Sequence, residues 1–364
     1  MKFRCERDVL TGGLGISGRA TGARGGSLPV LSGLRAELVG DTLTLTGSDL
    51  DLTISVDVEV AGDEDGVAVL PARLTSEIVR ALEPGAVDVE LEGDEVQITS
   101  GRSEFSVRLI PADEFPKLAE PSADGVELSA ASLADALHQV VPAASADDSR
   151  PILTGVLLAA EEDGLRLVAT DSYRLAVRDL PNTSVLSDDQ SVLVPSRALG
   201  ELSRVLEDEE DLTLRLGERD ATFEVGSVRV TTRLIEGEFP NYRGLIPSSY
   251  PNRMTVGRVP LLEAVRRVRL MAREATPVRL AMKPDGLDLV AVTQDVGQAH
   301  ESLEAKYEGS ELTVAFNPEY LIDGIEVTAG DEVTIESVDA LKPALIRGTE
   351  NEDFLYLLMP VRVS

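Results

Sequence analysis

The residues with the most specific spacing for chemistry are three glycines near the start of the chain. Gly13, Gly15 and Gly18 fit the pattern G-x-G-x-x-G, which cradles a dinucleotide pyrophosphate when it lies between a strand and the start of a helix. The next residues, 19–26, are rich in glycine and arginine and do not favour a helix. We therefore interpret this segment as a flexible loop. A nucleotide-binding enzyme that uses the loop from Gly13 to Gly18 is kept as an alternative function.

Few other side chains offer catalysis or metal binding. The chain contains no G-x-x-x-x-G-K-[ST] loop, one cysteine, Cys5, and two histidines, His138 and His300. A single cysteine excludes an internal disulfide, and with two histidines it makes a zinc site of the usual kind improbable. We interpret Cys5 as a small core residue and His138 as a helix-surface residue. The sequence therefore predicts no catalytic site, no metal and no cofactor.

The distribution of charge points to a different activity. The formal net charge is −30, with acids concentrated in predicted turns at 62–66, 161–164 and 207–211. Residues 258–273, however, hold five arginines and one acid on an apolar helical repeat. An acidic exterior with selected basic helices would repel DNA outside and tolerate it inside. The alternative is that this helix has a merely solvated arginine face.

The chain reads as a globular protein. Its 364 residues are 43% hydrophobic, enough for two or three domains, and no apolar run approaches the length of a membrane span. The opening residues are charged and strand-like rather than typical of a signal peptide. We expect a cytoplasmic protein with no membrane partner.

Internal repetition determines the predicted organisation. Pro29, Pro151 and Pro277 recur at intervals of 122 and 126 residues, each within a similar short motif. The segments 43–49, 165–171 and 287–293 repeat next, followed by 69–73, 193–197 and 315–319. Finally, Phe115-Pro116 is echoed by Phe239-Pro240. Several landmarks in one order at a nearly constant period indicate three copies of one domain.

Each copy predicts helix, strands, helix, strands. Helices are predicted near 6–14, 74–82, 129–141, 199–206, 261–272 and 320–325. Two helices over alternating strands favour an α+β fold in which antiparallel sheets carry helices on one face. We place the domains at 1–121, 126–247 and 252–364, with turn-rich links at 120–125 and 247–252.

Specific motifs then resemble a known family. They are ATDSYRLA at 169–176, EFPNYRGLIP at 238–247, LMPVRV at 358–363, and the shorter segments 1–3, 69–73 and 100–105. These closely resemble the bacterial DNA polymerase III beta subunits, the sliding clamps, along the whole chain. The resemblance implies three clamp domains per chain in a head-to-tail dimeric ring, with helices lining a central channel and antiparallel sheets outside. It also implies a processivity factor that encircles duplex DNA without reading its sequence and has no catalytic activity of its own.

The resemblance further implies three sets of site residues. DNA polymerase III alpha subunit, clamp loader, other polymerases and repair proteins are expected to insert short apolar peptides into a cleft between the second and third domains. The matching cleft positions are Leu153, Thr170, Ser172, Tyr173, Arg174, Leu175, Pro240, Leu245, Asn317, Tyr320, Leu341, Pro343, Met359, Pro360, Val361, Arg362 and Val363. The DNA channel is expected to carry Arg24, Arg73, Arg80, Arg150, Arg197, Arg204, Arg266 and Arg267. The dimer interface is expected to involve Phe105, Val107, Leu270, Met271, Glu301 and Glu304, with Arg102 and Arg108 facing the two glutamates.

Plainer interpretations stay open at this point. Each arginine could be a solvated helix residue, and Leu153, Leu175 and Met359 could be ordinary core. The chain also departs from the family at the cleft rim, where many relatives have Gly-His in place of Ser172-Tyr173 and a longer residue at Gly244. A duplicate clamp that confers resistance to a clamp-binding antibiotic is therefore a further alternative.

Overall fold

The computed structural model describes residues 1–22, 28–118, 124–162, 164–187, 189–206, 211–272, 276–350 and 352–362. Two predicted site residues, Arg24 and Val363, lie outside these ranges, as do residues 120–123 of the link predicted at 120–125. The described residues form six α-helices: α1 Arg7–Ser17, α2 Ala72–Ala81, α3 Ala130–Val140, α4 Ser196–Ser203, α5 Arg258–Arg269 and α6 Pro318–Glu326. All six predicted helices are present, with ends shifted by a few residues.

The strands of the first half of the described chain are β1 Lys2–Glu6, β2 Gly33–Val39, β3 Thr42–Ser48, β4 Leu52–Glu59, β5 Ala61–Glu64, β6 Gly66–Pro71, β7 Ala86–Glu92, β8 Glu95–Ser100, β9 Ser103–Arg108, β10 Gly125–Ser129, β11 Gly155–Glu161, β12 Gly164–Thr170 and β13 Arg174–Pro181. The remainder are β14 Ser191–Pro195, β15 Asp211–Leu216, β16 Asp220–Val225, β17 Val228–Arg233, β18 Asn252–Gly257, β19 Val278–Lys283, β20 Gly286–Thr293, β21 Gly297–Leu303, β22 Ala305–Glu308, β23 Leu312–Phe316, β24 Glu332–Ser337, β25 Ala344–Gly348 and β26 Phe354–Leu358. Every pairing between these strands is antiparallel, so the predicted α+β class with antiparallel sheets is confirmed.

The chain divides into two compact units, each with two sheets. The first unit comprises Met1–Ala131 and Gly200–Leu234, and the second comprises Ser132–Leu199 and Ile235–Ser364. The first unit holds a five-stranded sheet, β5-β1-β7-β8-β9, and an eight-stranded sheet, β10-β15-β16-β17-β4-β3-β2-β6. The second holds a nine-stranded sheet, β14-β11-β12-β13-β26-β25-β24-β18-β22, and a four-stranded sheet, β21-β20-β19-β23. The units follow these sheets and divide the predicted central domain, whose proposed boundaries stay a prediction.

Two large sheets each join strands from neighbouring repeats. In the first unit β4 pairs with β17, and in the second unit β13 pairs with β26. Read from opposite ends, the two sheets have the same strand order, apart from the extra edge strand β22. The repetition found in the sequence therefore extends to sheet topology.

The glycine motif lies in a helix and at its end, so the nucleotide-binding alternative, which needs a loop from Gly13 to Gly18, is wrong; of the glycine- and arginine-rich segment 19–26, residues 23–26 lie outside the described residues. Gly13 and Gly15 belong to α1, and Gly18 ends it. A Cβ on Gly13 would lie 2.7 Å from Cγ2 of Val58 and 3.0 Å from Cδ1 of Leu45, whereas a Cβ on Gly15 would meet nothing within 4 Å. Gly13 thus lets α1 approach the sheet closely. The amides of Gly13 and Gly15 are inside a helix, not at the helix start that a pyrophosphate needs.

One predicted acidic turn is also a strand. Residues 61–64 form β5, which pairs with β1 at the edge of the five-stranded sheet. An edge strand can keep acidic side chains in water while its backbone pairs, which explains why composition alone suggested a turn. Two interpretations of single residues hold: Cys5 is buried, which raises its pKa to about 11, and His138 is exposed on α3.

Candidate functional site

The predicted cleft begins with a tight turn between β12 and β13. Asp171 is buried, and its Oδ1 accepts the backbone N–H groups of Tyr173 at 2.8 Å and Arg174 at 3.0 Å. The Thr170 hydroxyl donates to the carbonyl of Arg174 at 2.6 Å and accepts the N–H of Ser172. Ser172 has a φ of 80°, in the left-handed region that favours glycine. The turn is therefore held rigidly by local hydrogen bonds despite its backbone strain.

Arg174 connects this turn to α6 and β26. Its Nε donates to Asp171 at 3.1 Å, its Nη1 to Asp323, and its guanidinium lies 4.3 Å from the ring centre of Tyr320. The Tyr356 hydroxyl lies 3.4 Å from Nη1 and donates to the Tyr320 carbonyl at 2.9 Å. Burial raises the pKa of Tyr356, against the opposing effect of Arg174, so this hydroxyl stays a donor. A cation whose side chain is only 10% exposed thus fixes three elements in one geometry.

The C-terminal segment lies along this turn. The N–H of Met359 donates to the carbonyl of Tyr173 at 2.9 Å, and that of Val361 to the carbonyl of Ala315 at 2.8 Å. Tyr173 also stacks on Tyr320, with ring centres 6.3 Å apart and planes at 24°. Tyr173 is 58% exposed and Met359 is 40% exposed. An aromatic ring and a thioether, on two residues joined by a backbone hydrogen bond, are therefore open to solvent. Such groups suit the rim of a recognition cleft.

Behind the rim is an apolar cluster on one face of the nine-stranded sheet. Its buried members are Val168, Leu175, Val177, Tyr242, Leu345 and Leu357. Partly buried residues packed against it are Leu157, Phe239, Ile246, Tyr250 and Leu355. Leu245, next to Ile246, is 51% exposed. Apolar walls with a few fixed polar groups are the usual chemistry of a small binding site.

The remaining predicted cleft residues have mixed positions. Leu153 is buried, so its interpretation as core fits as well as a role in the wall. The Asn317 side chain caps α6 by accepting the N–H of Glu319 at 2.9 Å. Leu341 is 64% exposed and, with Pro343, precedes β25, which carries Leu345 of the cluster. Pro240 and Arg362 are exposed, and Pro360 is half-buried.

Sequence reasoning missed the polar framework of this site. Asp171, Asp323 and Tyr356 were not named as site residues, although they hold Arg174 and the turn. Asp171 could have been found because an aspartate in a tight turn between two strands commonly accepts a hydrogen bond from the backbone two residues later. Asp323 is distant in sequence, and only the fold brings it to Arg174.

Seven of the predicted channel arginines lie in the described residues, and six are on or beside helices. Arg73 and Arg80 are on α2, Arg197 is on α4, Arg204 follows α4, and Arg266 and Arg267 are on α5. All are exposed except Arg266, which is half-buried. Arg150 is different: it precedes a 3-10 turn and lies 3.4 Å from both the Asp171 carbonyl and Oγ of Ser172, beside the cleft.

Several of these arginines already have acidic partners. Arg73 pairs with Glu77 at 2.8 Å, and Arg204 pairs with Glu201 at 2.6 Å. On α5, Arg266 contacts Glu263 and Glu326, both at 2.9 Å. The positive charge that the helices offer is therefore smaller than the arginine count suggests.

Glu301, predicted at the dimer interface, has a partner within the chain. Both of its oxygens accept from Arg267, at 2.5 and 2.7 Å, and this pairing lowers the pKa of Glu301. Phe105 is 37% exposed on the edge strand β9 while Val107 is buried, and Leu270 is 81% exposed just after α5. Exposed apolar groups beside free strand edges are typical of an association surface.

Metal binding and membrane insertion are functions that the cleft does not cover. Among residues 1–22, 28–118, 124–162, 164–187, 189–206, 211–272, 276–350 and 352–362, no cluster of three or more His, Cys, Asp or Glu side chains is arranged to hold a metal ion. Within the part of the chain that the structure describes, no helix is long and apolar enough to cross a membrane.

Comparison with known proteins gives consistent matches over the full length. Three family models match, for the DNA polymerase III beta subunit N-terminal domain at residues 1–119, its central domain at 127–241 and its C-terminal domain at 243–362. The chain is 35% identical to the beta sliding clamp of Streptomyces coelicolor, with all of both chains covered. It is 32% identical to that of Staphylococcus aureus, covering 100% of this chain and 99% of the relative.

Solved structures agree. The DNA polymerase sliding clamp from Bacillus subtilis matches with a TM-score of 0.92 at 31% identity, and a sliding clamp from Bartonella birtlesii bound to griselimycin matches with 0.94 at 32%. Both matches cover 100% of each chain.

Proposed function

Because the chain belongs to the DNA polymerase III beta subunit family, we propose that two copies of it close head to tail into a ring around duplex DNA. Its function is that of a sliding clamp, which gives the replicative polymerase processivity and serves as a docking platform. Each chain contains three clamp domains of α+β fold.

Two free strand edges carry the proposal of ring closure. Within the chain, the repeats join where β4 pairs with β17 and where β13 pairs with β26. In the repeats, β21 is the counterpart of β4 and β13, and β9 is the counterpart of β17 and β26. Both β21 and β9 end their sheets without a neighbour among the described residues. This kind of joint is made twice within the chain. If β21 paired in the same way with β9 of a second copy, the ring would close and both strand edges would be covered.

The internal joints also predict the register of closure. Ile54 of β4 pairs with Val230 of β17, and their counterparts are Ala299 of β21 and Phe105 of β9. We expect Ala299 to lie opposite the partner's Phe105, with His300 opposite the partner's Glu104. Glu301 is already paired with Arg267. Arg102 and Arg108 would therefore find their acidic neighbours elsewhere in the interface, where Glu304 is still exposed.

The exposed arginines on α2, α4 and α5 support DNA contact. In a chain of net charge −30, exposed arginines grouped on helices give a polyanion local points of attraction. Pairing with Glu77, Glu201 and Glu263 weakens the attraction, which suits a ring that must slide.

The apolar cluster with its aromatic rim supports peptide docking. Tyr173, Tyr320 and Met359 form the rim, and the Arg174 network holds it in place before any peptide arrives, which lowers the entropic cost of binding. The expected partners are the polymerase alpha subunit, the clamp loader, and other polymerases and repair proteins. The alternative that this chain is a duplicate clamp with lowered affinity for an antibiotic such as griselimycin, and not the main clamp, stays a prediction. Titration with griselimycin measures that affinity.

The chain is also proposed to lack catalytic activity of its own and to work in the cytoplasm with the replication machinery. Support for the first point is that the one nucleotide-like motif, at Gly13, Gly15 and Gly18, is helical. Support for the second is its similarity to replication clamps.

The decisive experiment is topological. The purified protein should elute as a dimer of chains of 38.9 kDa each. Once loaded by the clamp loader onto nicked circular DNA, it should stay bound through gel filtration and be lost when the DNA is cut once. Equal retention on circular and linear DNA would show binding by contact instead of encirclement and would overturn the proposal.

A further inference from the structure

The first unit contains a groove on the face of its eight-stranded sheet. The groove has a volume of about 790 Å³, runs across β16, β17, β4, β3 and β2, and is bordered by Lys117 and Leu118. Its volume lies within the range of about 300 to 1,000 Å³ typical of ligand pockets. Size alone therefore does not prevent a peptide from binding there.

This groove is the counterpart of the peptide cleft. Thr46 pairs with Ser55 across β3 and β4, as Val168 pairs with Val177 across β12 and β13. Ser55 in turn pairs with Arg229, as Val177 pairs with Leu355.

The match continues into the next strand. Thr222 pairs with Thr231 across β16 and β17, as Leu345 pairs with Leu357 across β25 and β26. Leu118, at the groove's border, follows the Phe-Pro motif that in the second unit leads to Tyr242. The two faces thus correspond position by position.

Their chemistry is opposite. Six apolar residues of the cluster behind the rim, four of them buried at 0 to 3% exposure, have polar counterparts in the groove: Val168 has Thr46, Val177 has Ser55, Leu345 has Thr222, Leu357 has Thr231, Leu157 has Arg35 and Leu355 has Arg229. The hydroxyls of Thr46 and Ser55 hydrogen-bond at 3.0 Å, as do those of Thr222 and Thr231. Arg35 pairs with Glu37 at 2.6 Å, and Arg229 pairs with Glu224 at 3.3 Å.

We propose that these six polar residues prevent apolar peptides from docking in the first-unit groove, so that the chain has one docking cleft instead of two. The inference rests on the proposed docking function of the cleft. An apolar side chain entering the groove would remove water from the charged and hydroxyl groups and offer them no hydrogen bond in return. Selectivity between two similar sites is here achieved by making one of them unfavourable.

The advantage of a polar groove follows from the duplication of the domains. Repeated domains supply the same concave sheet face at each internal joint, and an apolar version at both would recruit two partners per chain. On the four-stranded sheet most counterparts are also polar: Arg279, Gln298 and His300 occupy the positions of Leu157, Leu175 and Val177, whereas Val290 keeps an apolar residue at the position of Val168. The apolar face is therefore the exception among these three repeats.

The test converts the groove into a cleft. The six-residue variant Thr46→Val, Ser55→Val, Thr222→Leu, Thr231→Leu, Arg35→Leu and Arg229→Leu places the cleft's own residues at the corresponding positions. Both hydroxyl pairs are removed whole, so no hydroxyl loses its partner. The probe is a fluorescein-labelled peptide from the clamp-binding segment of the polymerase III alpha subunit, titrated against the full-length dimer. We expect the stoichiometry to rise from one to two peptides per chain, with the second site weaker than the first because it lacks the rim of Tyr173, Tyr320 and Met359.

Controls separate the possible failures. The hydroxyl-preserving variant Thr46→Ser, Ser55→Thr, Thr222→Ser and Thr231→Ser should still bind one peptide per chain, and photocrosslinking should place the second peptide of the six-residue variant near Leu118. If the wild-type protein binds no peptide, the proposed docking function fails. If the wild type binds one and the folded six-residue variant also binds one, the inference about the groove is overturned. Should the six-residue variant not fold, the variant with only Thr46→Val, Ser55→Val, Thr222→Leu and Thr231→Leu is compared with the hydroxyl-preserving variant, and no gain in peptide binding over that control would overturn the inference.

Discussion

The contact between α5 and DNA can be measured by removing the charges of Arg266 and Arg267. Reversal to glutamate would force residue 267 against Glu301, which Arg267 now holds with two hydrogen bonds. Glutamine is the cleaner change, because it removes the positive charge without that repulsion. The double variant Arg266→Gln and Arg267→Gln therefore tests DNA contact with the least disturbance of the helix.

The size of the effect follows from counterion release. Each arginine that neutralises a phosphate adds about 0.9 to the slope of log affinity against log salt concentration, so two contribute about 1.8. Between about 50 and 200 mM salt, a slope difference of about 1.8 corresponds to about a twelvefold difference in the loss of affinity. Arg266 and Arg267 must leave Glu263, Glu326 and Glu301 to reach phosphates, so the measured difference should lie below this value.

The assay is fluorescence anisotropy with a short linear duplex at several salt concentrations. The matched control is Arg229→Gln with Arg233→Gln, which removes the same charge from β17 on a sheet, where Arg229 pairs with Glu224. We expect the α5 variant to have a shallower salt slope than the wild type and the β17 variant to keep the wild-type slope. Equal slopes for all three proteins would refute the assignment of α5 to the channel, and equal reductions in both variants would show that only total charge matters.

Three other changes test the helix, the cleft and the interface. Gly13→Ala should destabilise the protein relative to Gly15→Ala by about 1 to 3 kcal/mol, because the new methyl group overpacks the core only at position 13. The measurement is the denaturation midpoint, and similar midpoints for both variants would contradict the close packing of α1. Deleting residues 359–364 removes the hydrogen bond from the Met359 N–H to the cleft turn but leaves β26 intact. Titration should therefore show loss of peptide binding in a folded dimer. Unchanged peptide affinity would place docking elsewhere. Combining Phe105→Ala with Leu270→Ala should yield monomers by gel filtration, since both side chains are exposed beside free edges, and a dimer persisting at low micromolar concentration would locate the contact elsewhere.

The cleft illustrates how far residue patterns reach. The motif at 169–176 indicated a site, and the structure places Tyr173, Arg174 and Leu175 together with Tyr320 and Met359. Their role in peptide docking stays a prediction. The structure adds Asp323 and Tyr356, because a network between distant segments depends on the packing of α6 against β26 and leaves no local pattern.

The sequence by itself determined the threefold repetition, the α+β class and the approximate position of each helix, because periodic apolar residues and turn motifs act over short distances. Tertiary structure alone decided that the first helix continues past residue 14 through Gly15 to Ser17, since the packing of α1 on the sheet at Gly13 overrides the low helix propensity of glycine. It also decided that Arg267 is held by Glu301, and that Thr46 and Val168 occupy equivalent places on two sheet faces of opposite polarity. Ion pairs and strand registers join residues that are far apart in the chain, and their energies depend on distances that only the folded backbone sets.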